Sequence, residues 1–146
     1  MLVYQLVAVA IATSVGANAP KQPTVVWTAD IKAQCGITIA PVELEGVAIF
    51  GANDGLVRGV DAEKGSALWE VAASKGAPCV PPSCGVQSVP TVISGRVVLF
   101  GTNDGSLIAF DKRQNGTRLW SFATGGAVFG VRPARTQLPS LHRPYL

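Results

Sequence analysis

The sequence predicts an all-β fold, a partial propeller of four-stranded antiparallel blades, and three observations predict it. The first is an internal repeat: GVAIFGANDGLVRGVDAEKGSALWEV at 46–71 returns as GRVVLFGTNDGSLIAFDKRQNGTRLWSF at 95–122. A period of about fifty residues marks propellers, solenoids and arrays, whose units bury their apolar faces only against one another. The second is the pattern within each copy, where short runs of β-branched and aromatic residues alternate with glycine-containing turns. The third is composition: 48% hydrophobic and 14% charged residues, with sixteen glycines and ten prolines, suit a fold made of short strands and turns.

Taken in order, the chain opens with an uncharged stretch, Met1 to Pro20, that is almost wholly apolar over Leu2–Ile11. Ala17-Asn18-Ala19 is an A-x-A pattern, so residues 1–19 read as a secretory signal peptide and the protein as secreted or periplasmic. No Lys or Arg stands in its n-region and Pro20 disfavours cleavage after Ala19, which leaves Val15-Gly16-Ala17 as a second choice. This leader is the one part expected to be helical. The run is short of the roughly 20 residues of a membrane span, so no stable span is expected.

Trp27, in Pro-Thr-Val-Val-Trp-Thr-Ala, reads as the closing strand of an earlier or wrap-around blade. Two blades follow, at about 35–72 and 84–123, within a repeat region of 22–134. Ile37–Val42 and Val86–Val92 are expected to open them, with Pro41 and Pro90 in matching places. Strands are then expected near 47–52, 56–61 and 67–72, and near 96–102, 106–111 and 118–123. Asn53-Asp54-Gly55 and Asn103-Asp104-Gly105 join the middle strands as hairpin turns, because the glycine accepts positive φ and the Asx side chain caps the turn. Four strands per copy is the size of one propeller blade. Ala127–Pro133 aligns with Cys84–Pro90 as the start of a third blade, and residues 135–146 carry no pattern and read as an unstructured tail.

Asp61, Gly65 and Trp69, and again Asp111, Gly116 and Trp120, resemble the tryptophan-docking motif of the quinoprotein (PQQ-like) β-propellers, Ala-x-Asp-x-x-Thr-Gly-x-x-x-Trp. The chain departs from it at Gly59, at Lys64 and by one residue inserted before Gly116. The resemblance covers about 22–134 and implies that each Trp lies against the neighbouring blade, stacked on backbone near the Gly and hydrogen-bonded through its indole. A large amphipathic ring suits that task. On this resemblance Trp69 is expected at the junction of the two blades, and both Trp69 and Trp120 mostly buried. Propellers close with four to eight blades; two blades and fragments imply a truncated chain, or a half-propeller completed by association.

Cys79 and Cys84, in Cys-Val-Pro-Pro-Ser-Cys, are placed to close a small ring in an oxidising compartment, with a Cys35–Cys84 bridge between blades as the competitor. The one histidine, His142, lies in the unpatterned tail, so neither a metal site nor a Ser/His/Asp arrangement is expected. The Asn-Asp-Gly turns lack the alternating acidic ligands and terminal Glu of a calcium loop. Asn115-Gly116-Thr117 matches a glycosylation sequon. Glu43 and Glu45 read as solvated, not as a catalytic pair. Residues 21–130 balance nine basic against nine acidic residues, and the net +3 comes from Arg132, Arg135 and Arg143, so no nucleic-acid footprint is expected.

No cofactor is expected for this chain. The resemblance admits an alternative, a fragment of a PQQ-dependent dehydrogenase, in which pyrroloquinoline quinone and calcium would sit on an axis surrounded by many blades. The leading reading is a noncatalytic repeat scaffold for protein or ligand contacts, whose open blade faces carry apolar residues toward a protein partner or toward self-association.

Overall fold

A computed structural model describes residues 5–10, 24–30, 33, 35–75, 77–78 and 85–132. Two four-stranded antiparallel sheets form its body. Blade 1 runs in chain order through β3 (Val42–Leu44), β4 (Val47–Gly51), β5 (Leu56–Asp61) and β6 (Ala67–Ala72). Blade 2 repeats it through β7 (Thr91–Ile93), β8 (Val97–Gly101), β9 (Ser106–Asp111) and β10 (Thr117–Ala123). The Asn-Asp-Gly turns behave as their chemistry dictates: Gly55 and Gly105 both sit at φ +82, and Asp54 Oδ1 accepts the Leu56 N–H at 3.1 Å.

Two elements differ from the expectations. The opening strands are shorter and later than 37–42 and 86–92, beginning just beyond Pro41 and Pro90. Proline brings no N–H to a ladder, and the residues ahead of it serve the inter-blade connection instead. Val86 N–H donates to Ala52 O, Asn103 N–H donates to Gly85 O, and the Ser88 hydroxyl accepts the Gly101 N–H at 2.5 Å. The segment is threaded between the blades.

The leader is not helical over the residues described. Gln5–Ala10 is a strand, β1, paired antiparallel with β2 (Thr24–Asp30). A short apolar run is compatible with either helix or strand, and β-branched Val7 and Val9 already lean it toward the strand. Pairing with β2 decides the matter, because the ladder satisfies the backbone of both segments at once. The proposed cleavage positions, the tail at 135–146, His142, and both members of the Cys79–Cys84 pair lie outside the described residues. Cys35 is a free, half-buried thiol.

Packing follows the pleat. Ile49 and Val57 on one face of blade 1 meet Val98, Phe100, Ile108 and Phe110 on the facing side of blade 2, and Val86 completes this inter-blade core. Phe100 and Phe110 meet edge to face with centroids 6.1 Å apart. The opposite face of blade 1, through Ala48, Phe50 and Val60, packs against Trp27 and Ile37. This outer face, expected to be open, is covered in part by Trp27 of β2 and by Ile37.

Candidate docking site

Each blade ends in a strand that bulges just before its tryptophan. Trp69 lies opposite Gly59 and Trp120 opposite Ala109, with the register slipping by one residue beside each pair. The β1–β2 pair repeats this, with Trp27 opposite Ala8 and a slip beside it. A bulge re-aims a side chain, and here it turns the ring over a small residue of its own sheet and out toward the next. A Cβ built on Gly59 would stand 2.3 Å from the Trp69 ring, so the ring lies flat on bare backbone.

The rings reach the glycines of the following blade. A Cβ on Gly65 would meet Trp27 at 2.5 Å, and one on Gly116 would meet Trp69 at 2.5 Å. Both glycines hold positive φ, +72 and +71. The indole N–H of Trp27 donates to Ala62 O at 2.8 Å. The aspartate that opens each acceptor turn shapes it. Asp61 Oδ1 accepts the N–H groups of Glu63 and Lys64 at 2.9 Å, and the Lys64 and Glu63 bonds hold its carboxyl below the usual value of 3.8. Asp111 Oδ1 accepts the Arg113 N–H while Oδ2 binds Arg96, and the Arg96 bond lowers its carboxyl likewise. The residue inserted in blade 2 is absorbed by a 3-10 turn, Lys112–Gln114, closed by Asn115 in the left-handed region.

The structure thus places Trp27 on Gly65 and Trp69 on Gly116, with Trp69 half-buried at the junction of the blades. Trp120 reaches no following blade among the described residues and is 45% exposed, contrary to its expected burial. Its face continues outward: Trp120 pairs across the sheet with Ala109, and Phe122, 64% exposed, with Leu107. Their counterparts in blade 1, Trp69 and Val71, pack into the inter-blade core.

Sequence reasoning missed two charged contacts. Glu45, at φ 49 in the β3–β4 turn, reaches blade 2, where Lys112 Nζ lies 2.7 Å and Arg113 Nη2 3.3 Å from its carboxylate. Lys112 also donates to Leu44 O at 2.8 Å. The Lys112 bond, then that of Arg113, holds the Glu45 carboxyl below its usual 4.5. Within blade 1, buried Arg58 binds Asp54 through both terminal nitrogens, at 3.1 and 2.7 Å, and Glu70 through Nε at 2.7 Å. Burial disfavours its charge, but the bonds and charges of Asp54 and Glu70 outweigh it and raise the guanidinium pKa. An internal alignment carries the signal for the second contact: Arg58 stands where blade 2 has Ile108. No such pattern announces the first.

Among the described residues no group of three or more His, Cys, Asp or Glu is placed to hold a metal ion. Asp54, Asp61, Asp111, Glu45 and Glu70 are each committed to arginine, lysine or backbone N–H groups, and Asp104 accepts the Lys75 N–H at 2.8 Å.

A family model described as outer membrane protein assembly factor BamB matches residues 12–140. A 1-butanol dehydrogenase (cytochrome c) from Thauera butanivorans is 30% identical over 141 aligned positions, covering 77% of this chain and 20% of that protein. The chain therefore spans about a fifth of that curated relative. Among solved structures, BamB from Moraxella catarrhalis superposes with a TM-score of 0.53 at 21% identity, over 68% of this chain and 27% of that one. A europium-containing methanol dehydrogenase superposes with a TM-score of 0.58 at 17% identity, over 82% of this chain and 21% of that one. At these identities the superpositions establish the propeller-type fold alone.

Proposed function

This chain belongs to the PQQ-repeat family described as outer membrane protein assembly factor BamB, and from that membership we propose that it is a noncatalytic propeller scaffold for protein contact in an exported compartment. The observation that carries the reading is the end face of blade 2. It is built like the face by which blade 1 docks on blade 2, yet it leaves Trp120 and Phe122 at the surface. An amphipathic ring on bare backbone is a good protein-docking element, and aromatic anchors dominate interface energetics. Asp61, Gly65 and Trp69, with Asp111, Gly116 and Trp120, are the docking set in this reading: the glycine supplies a flat seat, the aspartate shapes the turn, and the ring fills the seat of the next unit. Export rests on the uncharged apolar leader and on the outer-membrane assembly role in the family's description.

The second reading, a fragment of a quinoprotein alcohol dehydrogenase, is favoured by the likeness to the 1-butanol dehydrogenase. Against it stands the commitment of the described carboxylates to structural partners. The purified chain, titrated with pyrroloquinoline quinone in the presence of calcium, is expected to show no saturable binding and no dye-linked alcohol oxidation. Micromolar binding at a defined stoichiometry would replace the scaffold reading with the dehydrogenase one.

A further inference from the structure

We propose that Asn115–Gly116 is a deamidation site held shut by the docked ring of Trp69, so that any parting of the two blades is recorded as a permanent change in the seat. The inference stands on the geometry of the seat and goes beyond the scaffold reading without needing it.

The chemistry is set by residue type. Asn115-Gly116 is the only Asn-Gly pair in the sequence. With no side chain to shield it, the Gly116 backbone nitrogen can attack the Cγ of Asn115. A C–N bond forms and closes a five-membered succinimide. The side-chain nitrogen departs as ammonia, taking the Gly116 amide proton with it. Water then opens the ring at either carbonyl. One cleavage leaves aspartate; the other leaves isoaspartate, whose main chain runs through the former side chain and is one carbon longer.

The fold keeps these two groups apart. Asn115 sits at φ 51, ψ 41. Ring closure needs the Gly116 nitrogen on the same side of the Cα–C bond as the Asn115 Cβ, and at this ψ the two lie nearly opposite. Bringing them together takes close to half a turn about ψ, which swings Gly116 out of its place. That place is occupied: Gly116 is buried at φ +71, and a Cβ on it would stand 2.5 Å from the Trp69 ring. The flanks of the turn are tied as well. Asp111 Oδ1 accepts the Arg113 N–H at 2.9 Å, and the Thr117 hydroxyl donates to Gln114 O at 2.5 Å. Asn115 itself is exposed, so water reaches its amide. The reaction therefore waits on one backbone rotation, which the seated ring blocks.

The seat in blade 1 has no such chemistry, because Lys64 precedes the Gly65 on which Trp27 lies. Only the seat at the junction of the two blades carries it. Its products differ in effect. Aspartate is tolerated in the left-handed region. Isoaspartate lengthens the main chain between the 3-10 turn and Gly116, so the glycine no longer meets the ring.

The test ages the chain at mildly alkaline pH and follows the mass and isoaspartate content of the peptide spanning Asn115. A free peptide of residues 111–119 in the same buffer gives the unprotected rate. When opening is fast, the native rate is the peptide rate multiplied by the open fraction, and it is expected to be slower by about a hundredfold or more. Trp69→Phe, which keeps a smaller ring in the seam, is expected to raise the native rate about tenfold. Leu68→Ser, at a 49% exposed site on the same strand, is expected to leave it unchanged. Urea below the unfolding transition gives a second reading on the unsubstituted chain, with deamidation expected to rise in step with hydrogen exchange at Gly116. The isoaspartyl chain is expected to melt below Asn115→Asp. A native rate equal to that of the peptide, a rate indifferent to Trp69→Phe or to urea, equal acceleration by Leu68→Ser, or an isoaspartyl chain as stable as Asn115→Asp would each overturn the proposal.

Discussion

Blade 1 and blade 2 are built on one plan, and they differ most where they face unlike neighbours. At the centre of the third strand blade 2 carries Ile108, buried against the apolar side of blade 1. Blade 1 carries Arg58 there, opposite Phe50 on the face away from blade 2, and neutralised by Asp54 and Glu70. The equivalent aspartates are spent differently as a result. Asp54 serves an arginine of its own blade, while Asp104 accepts the Lys75 N–H from the loop leaving blade 1. A repeat preserves backbone and turns; its side chains answer to whatever packs next to them.

The largest expected effect tests that contrast directly. Asp54→Ala leaves a buried guanidinium short of its main counter-charge and is expected to cost about 3–5 kcal/mol. The equivalent Asp104→Ala removes two neutral-donor bonds, from the exposed Lys75 N–H and from the Thr102 hydroxyl, and is expected to cost about 1–2 kcal/mol. Urea denaturation of the two variants compares them, and equal losses would erase the distinction between the blades.

The tryptophans come next. Trp69→Ala opens the seam between the blades, for an expected loss of about 3 kcal/mol. Trp120→Ala in a dilute sample is expected to cost less than about 1 kcal/mol, because the ring is 45% exposed and seats on no following blade among the described residues. Matching thermal melts for the two would remove the difference between an occupied and an open docking face.

Glycine substitutions sharpen the same point at smaller cost. Gly116→Ala combines a left-handed backbone with a Cβ 2.5 Å from the Trp69 ring, and about 2 kcal/mol is expected. Gly95→Ala has a similar φ of +64 but nothing within 4 Å, so only the backbone penalty of about 1 kcal/mol remains. The gap between the two melts measures the seat itself.

The smallest effect is electrostatic. Glu45, Asp61 and Asp111 all have carboxyl pKa values lowered in the folded chain, from usual values of 4.5, 3.8 and 3.8. The unfolded chain therefore takes up protons first as pH falls. The stability these groups add is present at neutral pH, declines from about pH 5 and is gone below their folded pKa values. Glu45→Gln is expected to flatten the acid limb of a stability–pH curve by removing the blade 1 to blade 2 ion pair. An unchanged curve would show that this clamp is solvated away.

Much of this architecture is written locally. Gly55 and Gly105 turn the chain because only glycine accepts their φ cheaply, and the strands between turns follow from alternation with period two. The spacing of Trp27, Trp69 and Trp120 likewise announces repeated units before any fold is known. These signals survive in sequence because each depends on a residue's own backbone and nearest neighbours.

Other features depend on partners distant along the chain. The apolar run at Gln5–Ala10 suits helix or strand equally, and only the ladder to Thr24–Asp30 makes it a strand. Glu45 looks like a surface residue until Lys112 and Arg113, nearly seventy positions later, are brought beside it. Trp69 and Trp120 are alike in their own sequence, and only the contact of Trp69 with Gly116 of the next blade leaves it half-buried where Trp120 is exposed. The sequence by itself determined the strands, the turns and the repeat, since short-range sterics and periodicity dictate them. Tertiary structure alone decided which faces are covered and which charges meet, because burial and pairing are properties of neighbours that no single segment carries.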